Sequence, residues 1–248
     1  MTIIAVIGDC TTTTCVALAA CWPADHDVLV LEADPAGGSL AAWLDTPSSP
    51  SLTTVVANTG AGTGAAGTTV ATVSSMAQRS ASGVRFLAAP LRGMPARRAI
   101  DEATTTVIPS LAETDAVVVL ADLGRRHPGE IPRAFESATL TVVVHRQRPA
   151  PPAAEAARLE RLVEFVEQLG RPIILAVLGN EPFDPAEIVH HVDTSAPGAI
   201  IDWIRFADDP LAATVLSGRT GVSAKRLRRL PLMRSAAVAA QVLQERAS

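Results

Sequence analysis

Residues 3–20, IIAVIGDCTTTTCVALAA, have the residue types and order of a phosphate-binding segment. The apolar run 3–7 predicts a buried strand, Gly8 and Asp9 predict a turn, and a Thr-rich helix start follows. At such a junction, unpaired N–H groups and the positive end of the helix dipole converge on an anion. The common phosphate loop G-x-x-x-x-G-K-[ST] is absent, because the lysine and most of the glycines are missing. The threonines alone leave two interpretations open, a nucleotide site and a capped helix.

Polar segments also follow several of the other apolar runs that predict strands. These segments are 32–38 (EADPAGG), 122–125 (DLGR), 179–182 (GNEP) and 206–210 (FADDP). Ligands of parallel α/β sheets bind outside the carboxyl ends of the strands, so these segments should share one edge with the first turn. Several of them contain carboxylates, and clustered carboxylates require a cation or raised pKa values. A magnesium ion with a nucleotide satisfies that requirement.

The elements that position these segments alternate along the chain. Helix-like segments separate the apolar runs, and the clearest is 153–169, which Gly170 and Pro172 stop. Continuous Val/Ile/Leu runs are typical of strands covered on both faces. The sequence therefore predicts one three-layer α/β domain, residues 1–248, with a mainly parallel sheet of about seven strands flanked by helices. The predicted strands are 3–7, 28–31, 84–88, 116–121, 140–144, 173–178 and 200–204.

The composition limits the function classes. Hydrophobic residues make up 48% of the chain and aromatic residues 3%, so the core must be aliphatic. A formal net charge of −4 argues against a dedicated nucleic-acid binder. Cys10, Cys15 and Cys21 match no zinc spacing, and an odd count forms no disulfide framework, so a cytoplasmic setting is expected. No apolar stretch is long enough to span a membrane, so we expect a soluble protein.

Three further features have structural interpretations. The Gly/Thr/Ala-rich segment 58–69 has no strand before it and no lysine after it, so a flexible surface loop is expected. His145, His190 and His191 have no ligand-like partners at useful spacing and are expected to be structural or exposed. The cysteines are expected to be small core or loop residues. Cys10 would be reactive only if the helix N-terminus lowers its pKa.

The segments together resemble the MinD/ParA group of P-loop ATPases, over essentially the whole chain. Residues 31–38 are similar to that group's D-x-D-P-x-G segment. Residues 117–122, with the Leu-Gly that follows, are similar to its Mg²⁺-associated strand, which ends in Asp. Residues 206–210 are similar to its late P-x-D segment, and Asn180 lies where the group often places an adenine-contacting Asn. The E-A-D-P-x-G-G sequence and the basic C-terminal helix resemble in particular MinD-like proteins of high-GC Gram-positive bacteria.

The resemblance implies ATP and Mg²⁺ as cofactors and a homodimer with nucleotide at its interface. Thr12 and Asp122 would hold Mg²⁺, and Asp34 would position the attacking water. The nucleotide-binding residues it implies are Gly8, Asp9, Cys10, Thr11, Thr12, Thr13, Asn180, Asp209 and Pro210.

The first loop departs from the group's pattern. Ungapped alignment of the helix with G-K-T-T-T-A-L-N-L-A places Cys10 at the glycine and Thr11 at the lysine. The preceding loop is about three residues shorter, and the group's early signature lysine is also missing. In working P-loop enzymes the lysine cradles the β/γ-phosphates, so we do not expect efficient hydrolysis. The function predicted is that of a non-catalytic regulator or scaffold, acting through dimerisation and protein partners in division, secretion or pilus-type positioning.

Two alternatives remain open. The first is a slow ATP/Mg²⁺-dependent switch in which Arg125, Arg126 or Arg146 supplies the missing cation. The second is a membrane-surface adaptor that uses residues 225–247, where a basic segment precedes an amphipathic helix. Packing of that helix on the domain is favoured, because Pro231 interrupts the basic part and the helix beyond it is Ala-rich.

Overall fold

The computed structural model describes residues 2–24, 26–60, 70–112, 117–125, 136, 138–149, 151–219 and 223–247. The strands are β1 (Thr2–Gly8), β2 (Asp27–Glu32), β3 (Gln78–Arg79), β4 (Arg85–Leu87), β5 (Val117–Asp122), β6 (Leu140–Arg146), β7 (Ile173–Leu178) and β8 (Ile200–Phe206). The helices are α1 (Thr11–Cys21), α2 (Leu40–Trp43), α3 (Leu52–Gly60), α4 (Val70–Met76), α5 (Gly93–Ala112), α6 (Pro152–Leu169), α7 (Pro185–Ser195), α8 (Pro210–Leu216), α9 (Ala224–Leu227) and α10 (Pro231–Ala247).

The eight strands found in the described residues form one sheet in the order β3-β4-β2-β5-β1-β6-β7-β8. Every neighbouring pair is parallel except β3 with β4. The predicted strands are present, and the predicted mainly parallel α/β fold is confirmed. The prediction lacks β3 because its two residues, Gln78 and Arg79, carry no apolar pattern. Since β1 lies between β5 and β6, the turn after β1 falls near the middle of the carboxyl edge.

Helices cover both faces of the sheet, which gives three layers. Side chains alternate between the faces of a strand, so each half of β1 feeds a different core. Ile4 and Val6 join the core formed with α1, α8 and α10, whereas Ile3, Ala5 and Ile7 join the core formed with α3, α5, α6 and α7. A strand in this position must be apolar at every residue, and this explains the continuous run that the sequence shows.

The C-terminal helix α10 packs against α1 and β8. It buries Leu232, Met233, Ala236, Ala239, Ala240 and Leu243, and its alanines allow close approach of the two helix backbones. The Cys21 thiol donates a hydrogen bond to the Met233 carbonyl at 3.3 Å, at the C-terminal end of α1. The predicted packing of this helix on the domain is confirmed. Within the described ranges, no helix has the length and apolar character needed to cross a membrane.

Two sequence predictions about segment ends have different outcomes. The predicted helix 153–169 corresponds to α6, and Gly170 ends it in the left-handed conformation with φ 59°, as the glycine signal indicates. The predicted loop 58–69 is wrong at its start, because residues 58–60 form the last turn of α3. Residues 61–69 of that prediction lie outside the described part of the chain.

Candidate functional site

The turn after β1 is fixed to the two neighbouring strands. The Gly8 N–H donates to the Gly124 carbonyl at 2.9 Å, and the Asp9 N–H donates to the Val144 carbonyl at 3.0 Å. Gly8 has φ +131°, and a Cβ added there would lie 2.1 Å from the Val144 oxygen. Only glycine fits this position. The two N–H groups at the start of the turn are therefore already used within the protein.

Cys10 links the turn to α1 in a left-handed conformation, with φ 54° and ψ 30°. Its carbonyl accepts hydrogen bonds from the N–H and the hydroxyl of Thr14, both at 3.0 Å, and its side chain makes no capping bond. Few residues other than glycine adopt this conformation, and the alignment above places Cys10 at a glycine. The first-turn N–H groups at 11–13 have no acceptor within the helix, and N–H groups in this position commonly bind anions.

Thr12 and Asp122, predicted as a magnesium pair, are in contact. The Thr12 hydroxyl donates to Asp122 Oδ2 at 2.6 Å, and the Gly124 N–H donates to Asp122 Oδ1 at 3.1 Å. Asp122 is 1% exposed. Burial raises the pKa of the Asp122 carboxyl, while hydrogen bonds from the hydroxyls of Thr11 and Thr12 act in the opposite direction. A buried carboxylate of this kind is stabilised by a cation.

The donor set fits magnesium better than an all-protein metal centre. In the part of the chain that the structure describes, no group of three or more His, Cys, Asp and Glu residues could hold a metal ion. Mg²⁺ usually takes one or two protein carboxylates and completes its shell with water and phosphate oxygens. The Thr12 hydroxyl and the Asp122 carboxylate can supply oxygen ligands of that kind, and the other ligands would come from a nucleotide and from water.

Asp34 lies next to the same pair. Its Oδ1 accepts a hydrogen bond from the Ala36 N–H at 2.8 Å, and its charge adds to the rise in the Asp122 pKa. A Cβ added at Gly124 would lie 2.2 Å from the Asp34 carboxylate, so the glycine makes room for this acid. The segments after β2 and β5 thus bring two carboxylates together at the sheet edge, as the topology argument predicted.

Glu32, at the end of β2, holds the following loop in place. It is 1% exposed, and its carboxylate accepts N–H bonds from Ser39 at 2.6 Å, Leu40 at 2.8 Å and Ala89 at 2.9 Å. Burial raises the Glu32 pKa to about 7, with a smaller contribution from Asp122, and the three N–H donors oppose the rise. Glu32 lies in the predicted polar segment 32–38, but its role in holding the loop was not predicted from the sequence.

This raised pKa predicts a pH-dependent stability. The unfolded chain releases the Glu32 proton near pH 4.5, whereas the folded protein retains it to about 7. The stabilisation from the protonated form is complete below pH 4.5 and is lost as the pH rises through 7, an effect of about 3 kcal/mol. We expect urea denaturation to show that the native chain loses about this amount of stability relative to Glu32→Gln between pH 4.5 and 7.5.

The control for this experiment is Glu245→Gln, which changes an exposed residue of α10 and should show no such trend. A difference between the native chain and Glu32→Gln that stays constant across this pH range contradicts the raised Glu32 pKa.

A cation also lies beside the first loop. The Arg146 guanidinium bonds Asp208 through Nε at 2.9 Å and Nη2 at 2.8 Å, and its Nη1 lies 3.9 Å from Cys10 Sγ. Of the two predicted cations that the structure describes, Arg125 and Arg146, it is Arg146 that contacts this loop. Arg125 lines a cavity on the α6 side of the turn, and Arg126 is outside the described residues.

The cysteines are free thiols, and Cys15 is fully buried, as expected for a core residue. Desolvation by the surrounding chain raises the pKa of the Cys10 thiol, although Arg146 acts to lower it. The idea that the helix N-terminus activates Cys10 by lowering its pKa is therefore wrong in direction. The desolvation of the thiol outweighs the nearby positive charge.

The predicted base-contacting residues lie after β7 and β8 and have structural partners. Asn180 Oδ1 accepts a hydrogen bond from Arg205 Nε at 3.0 Å. Asp209 is the N-cap of α8, where its Oδ1 accepts from the Ala212 N–H at 3.0 Å and Pro210 begins the helix. The other oxygen of Asp209 is buried without a hydrogen-bond partner among the described residues. These three residues lie at the expected edge of the sheet.

A largely buried chain of polar side chains, which was not predicted from the sequence, connects the turn to α6. Asp9 Oδ2 bonds Arg158 at 2.9 Å, Arg158 bonds Glu155 at 2.7 Å, and Glu155 bonds His145 Nε2 at 2.7 Å. The side chains of Glu155 and His145 are fully buried. His145 is a buried structural residue, one of the two outcomes expected for it, and its partner Glu155 lies ten residues along the chain. His190 is exposed, as predicted.

Comparisons with known proteins agree on the fold. No protein-family model matches the sequence. No curated protein matches it either. Among solved structures, the chain is similar to a ParA family ATPase from Chlorobium tepidum TLS, with 13% identity, a TM-score of 0.68 and coverage of 97% of this chain and 98% of that chain.

Two further similar structures belong to MinD proteins. In the MinC:MinD cell division protein complex of Aquifex aeolicus, the identity is 14%, the TM-score 0.66 and the coverage 99% and 96%. For the septum site-determining protein MinD complexed with Mg-ADP from Pyrococcus horikoshii OT3, the identity is 16% and the TM-score 0.62. The match covers 100% of this chain and 99% of that chain. At these identities the likeness concerns the fold. The part of the chain that the structure describes has the fold of the ParA and MinD ATPases.

Proposed function

We propose that this chain is a single-domain protein of the ParA/MinD type that acts as a non-catalytic regulator or scaffold. The observation that carries the proposal is the position of its lysine. The chain contains a single lysine, Lys225, and that residue lies in α9. In P-loop enzymes a lysine of the loop cradles the β/γ-phosphates that are cleaved.

Lys225 cannot reach the first loop of its own chain. Arg228, one helical turn further on, lies close enough to the Cys21 thiol to lower its pKa, and the two residues line the same pocket. Cys21 is the last residue of the 11-residue helix α1. The N-terminus of that helix, next to the first loop, is about 16 Å from Cys21. The α9 segment therefore lies at the opposite end of α1 from Cys10.

The missing loop lysine and the shortened first loop should greatly weaken nucleotide binding. Each charge-assisted hydrogen bond contributes about 1.5–3 kcal/mol, or roughly 10- to 100-fold in affinity. The N–H groups of Gly8 and Asp9, at the start of the first loop, donate to backbone carbonyls and are not available to a phosphate. Weak nucleotide binding and absent turnover follow from the two losses together.

Partners follow from the likeness. MinD is in complex with MinC in the Aquifex aeolicus structure. We propose that this chain likewise binds a protein partner in the cytoplasm and forms a homodimer, with a role in division, secretion or pilus-type positioning. Because the signature lysine is missing, the dimer contact would be made through other residues or without nucleotide.

A slow Mg²⁺-nucleotide switch is the second candidate, and a specific observation favours it. The Thr12 hydroxyl lies 2.6 Å from Asp122 Oδ2, and the Arg146 guanidinium contacts Cys10 in the first loop. In this alternative the pair would hold Mg²⁺, Arg146 would contact the phosphates, and Asp34 would position a water molecule. The MinD of Pyrococcus horikoshii OT3 is complexed with Mg-ADP, which shows that a protein of this fold accommodates both ligands.

Calorimetry with ATP and Mg²⁺ on the full chain separates the two candidates. The scaffold predicts no heat of binding at millimolar ATP, and the switch predicts binding in the micromolar range. Thr12→Val is the matched variant, because it removes the hydroxyl and keeps the shape of the side chain. Micromolar binding that is lost in Thr12→Val contradicts the scaffold and supports the switch.

A further inference from the structure

A second polar cavity opens on the α6 side of the turn after β1. Its volume is about 430 Å³. Four arginines line it, and they come from three separate segments: Arg125 after β5, Arg148 after β6, and Arg158 and Arg161 on α6. Arginines that converge from separate segments differ from a run of charges along one solvated helix face.

The positive charge of this arginine pocket is only partly compensated. Arg158 is paired with Asp9 and Glu155. Arg125, Arg148 and Arg161 make no hydrogen bond or ion pair with another described residue. The lining carboxylates are Asp9 and Glu164, and Arg158 also pairs with Glu155 behind the wall. Among the described residues, four arginines therefore face three acids, which leaves an excess of one positive charge.

The shape of the pocket favours a small ligand. Its volume lies in the range of about 300–1,000 Å³ that is usual for small-molecule sites. Phe165, a residue that is 7% exposed, supplies an apolar part of the wall. Arginine presents a planar fork of N–H donors that matches phosphate oxygens two at a time.

We propose that the arginine pocket binds a small phosphorylated metabolite that carries at least two negative charges. The pocket differs from the nucleotide site in the residues that form it. Arg148 follows β6, and Arg158 and Arg161 lie on α6, whereas Thr12 lies in α1 and Asp122 ends β5. The proposal does not depend on whether the chain binds ATP.

The pocket is connected to the first loop through Arg158. The Arg158 side chain is 17% exposed, and its guanidinium bonds Asp9 Oδ2 at 2.9 Å. The same carboxylate oxygen accepts a hydrogen bond from the backbone N–H of Arg146 at 3.1 Å. A phosphate in the pocket competes with Asp9 for Arg158. Removing the charge of Asp9 should therefore tighten phosphate binding, and this sign distinguishes a ligand site from a structural cluster.

Calorimetry of the full chain with inorganic pyrophosphate at low ionic strength tests the proposal. Arg148→Gln and Arg161→Gln should each weaken binding by roughly tenfold, because each removes a charge-assisted bond. Asp9→Asn should strengthen it by several-fold. Arg98→Gln is the matched control, because Arg98 is exposed on α5 and does not line the pocket. Equal melting temperatures establish that the variants remain folded.

Three results would overturn the proposal. If Thr12→Ala abolishes pyrophosphate binding and the arginine variants do not change it, the anion binds at α1 instead. If an acidic peptide such as oligoglutamate binds through Arg148 and Arg161 and pyrophosphate does not, the pocket serves a protein partner. If neither probe produces heat, the pocket is not an anion site.

Discussion

Replacement of Glu155 with alanine is expected to lower the free energy of unfolding by about 3–5 kcal/mol, the cost of breaking a buried ion pair from one side. Glu155 has no exposed surface and bonds both His145 and Arg158 at 2.7 Å. Its removal leaves a buried imidazole and a largely buried guanidinium without their shared acceptor. Urea denaturation at neutral pH measures the change.

The matched control is Glu167→Ala, which makes the same substitution at an exposed position of the same helix. Helix propensity changes equally in the two variants, and Glu167→Ala should stay within about 0.5 kcal/mol of the native chain. Equal losses of stability in the two variants would show that the buried polar chain contributes nothing specific to stability.

Restoration of a lysine at the first loop is expected to increase the affinity for Mg-ADP by roughly 10- to 100-fold, the worth of a charge-assisted phosphate contact. Thr11 begins α1 and occupies the position of the loop lysine in the alignment. Cys10 already has a left-handed φ of 54°, so glycine there keeps the backbone path without strain. The variant to compare is Cys10→Gly with Thr11→Lys, measured by calorimetry.

Two controls isolate the effect of the charge. Cys10→Gly alone reports the effect of the backbone change, and Cys10→Gly with Thr11→Met adds an unbranched side chain of similar length without charge. Only the lysine variant should gain affinity. If all three bind Mg-ADP equally, the missing cation does not limit the site and the explanation given for its weakness is wrong.

The fold was largely predictable from the sequence because its signals are local. The continuous apolar runs of β1, β5, β6 and β7 report burial on both faces, and no partner has to be known to recognise them. Gly170 likewise marks the end of α6 by its own conformational freedom. The two-residue strand β3 forms only because β4 offers it an antiparallel edge, so its own residues carry no signal.

The candidate site was predictable as far as topology alone determines it. Parallel strands place Thr12 after β1 and Asp122 at the end of β5, and these strands are neighbours, so the contact between the two residues follows. The roles of Glu32 and His145 depend on partners that packing brings together. The sequence did contain a sign that His145 has a buried partner. Glu155 lies four residues before Leu159 and seven before Leu162, so helical spacing places this acid on the apolar face of α6.

The direct test of the central claim is steady-state phosphate release from Mg-ATP by the full chain. The account predicts release no faster than a protein-free blank and no difference between the native chain and Asp122→Ala. Phosphate release above the blank that Asp122→Ala abolishes would contradict the account, since it would show that a loop with Cys10 and Thr11 in place of glycine and lysine still supports hydrolysis.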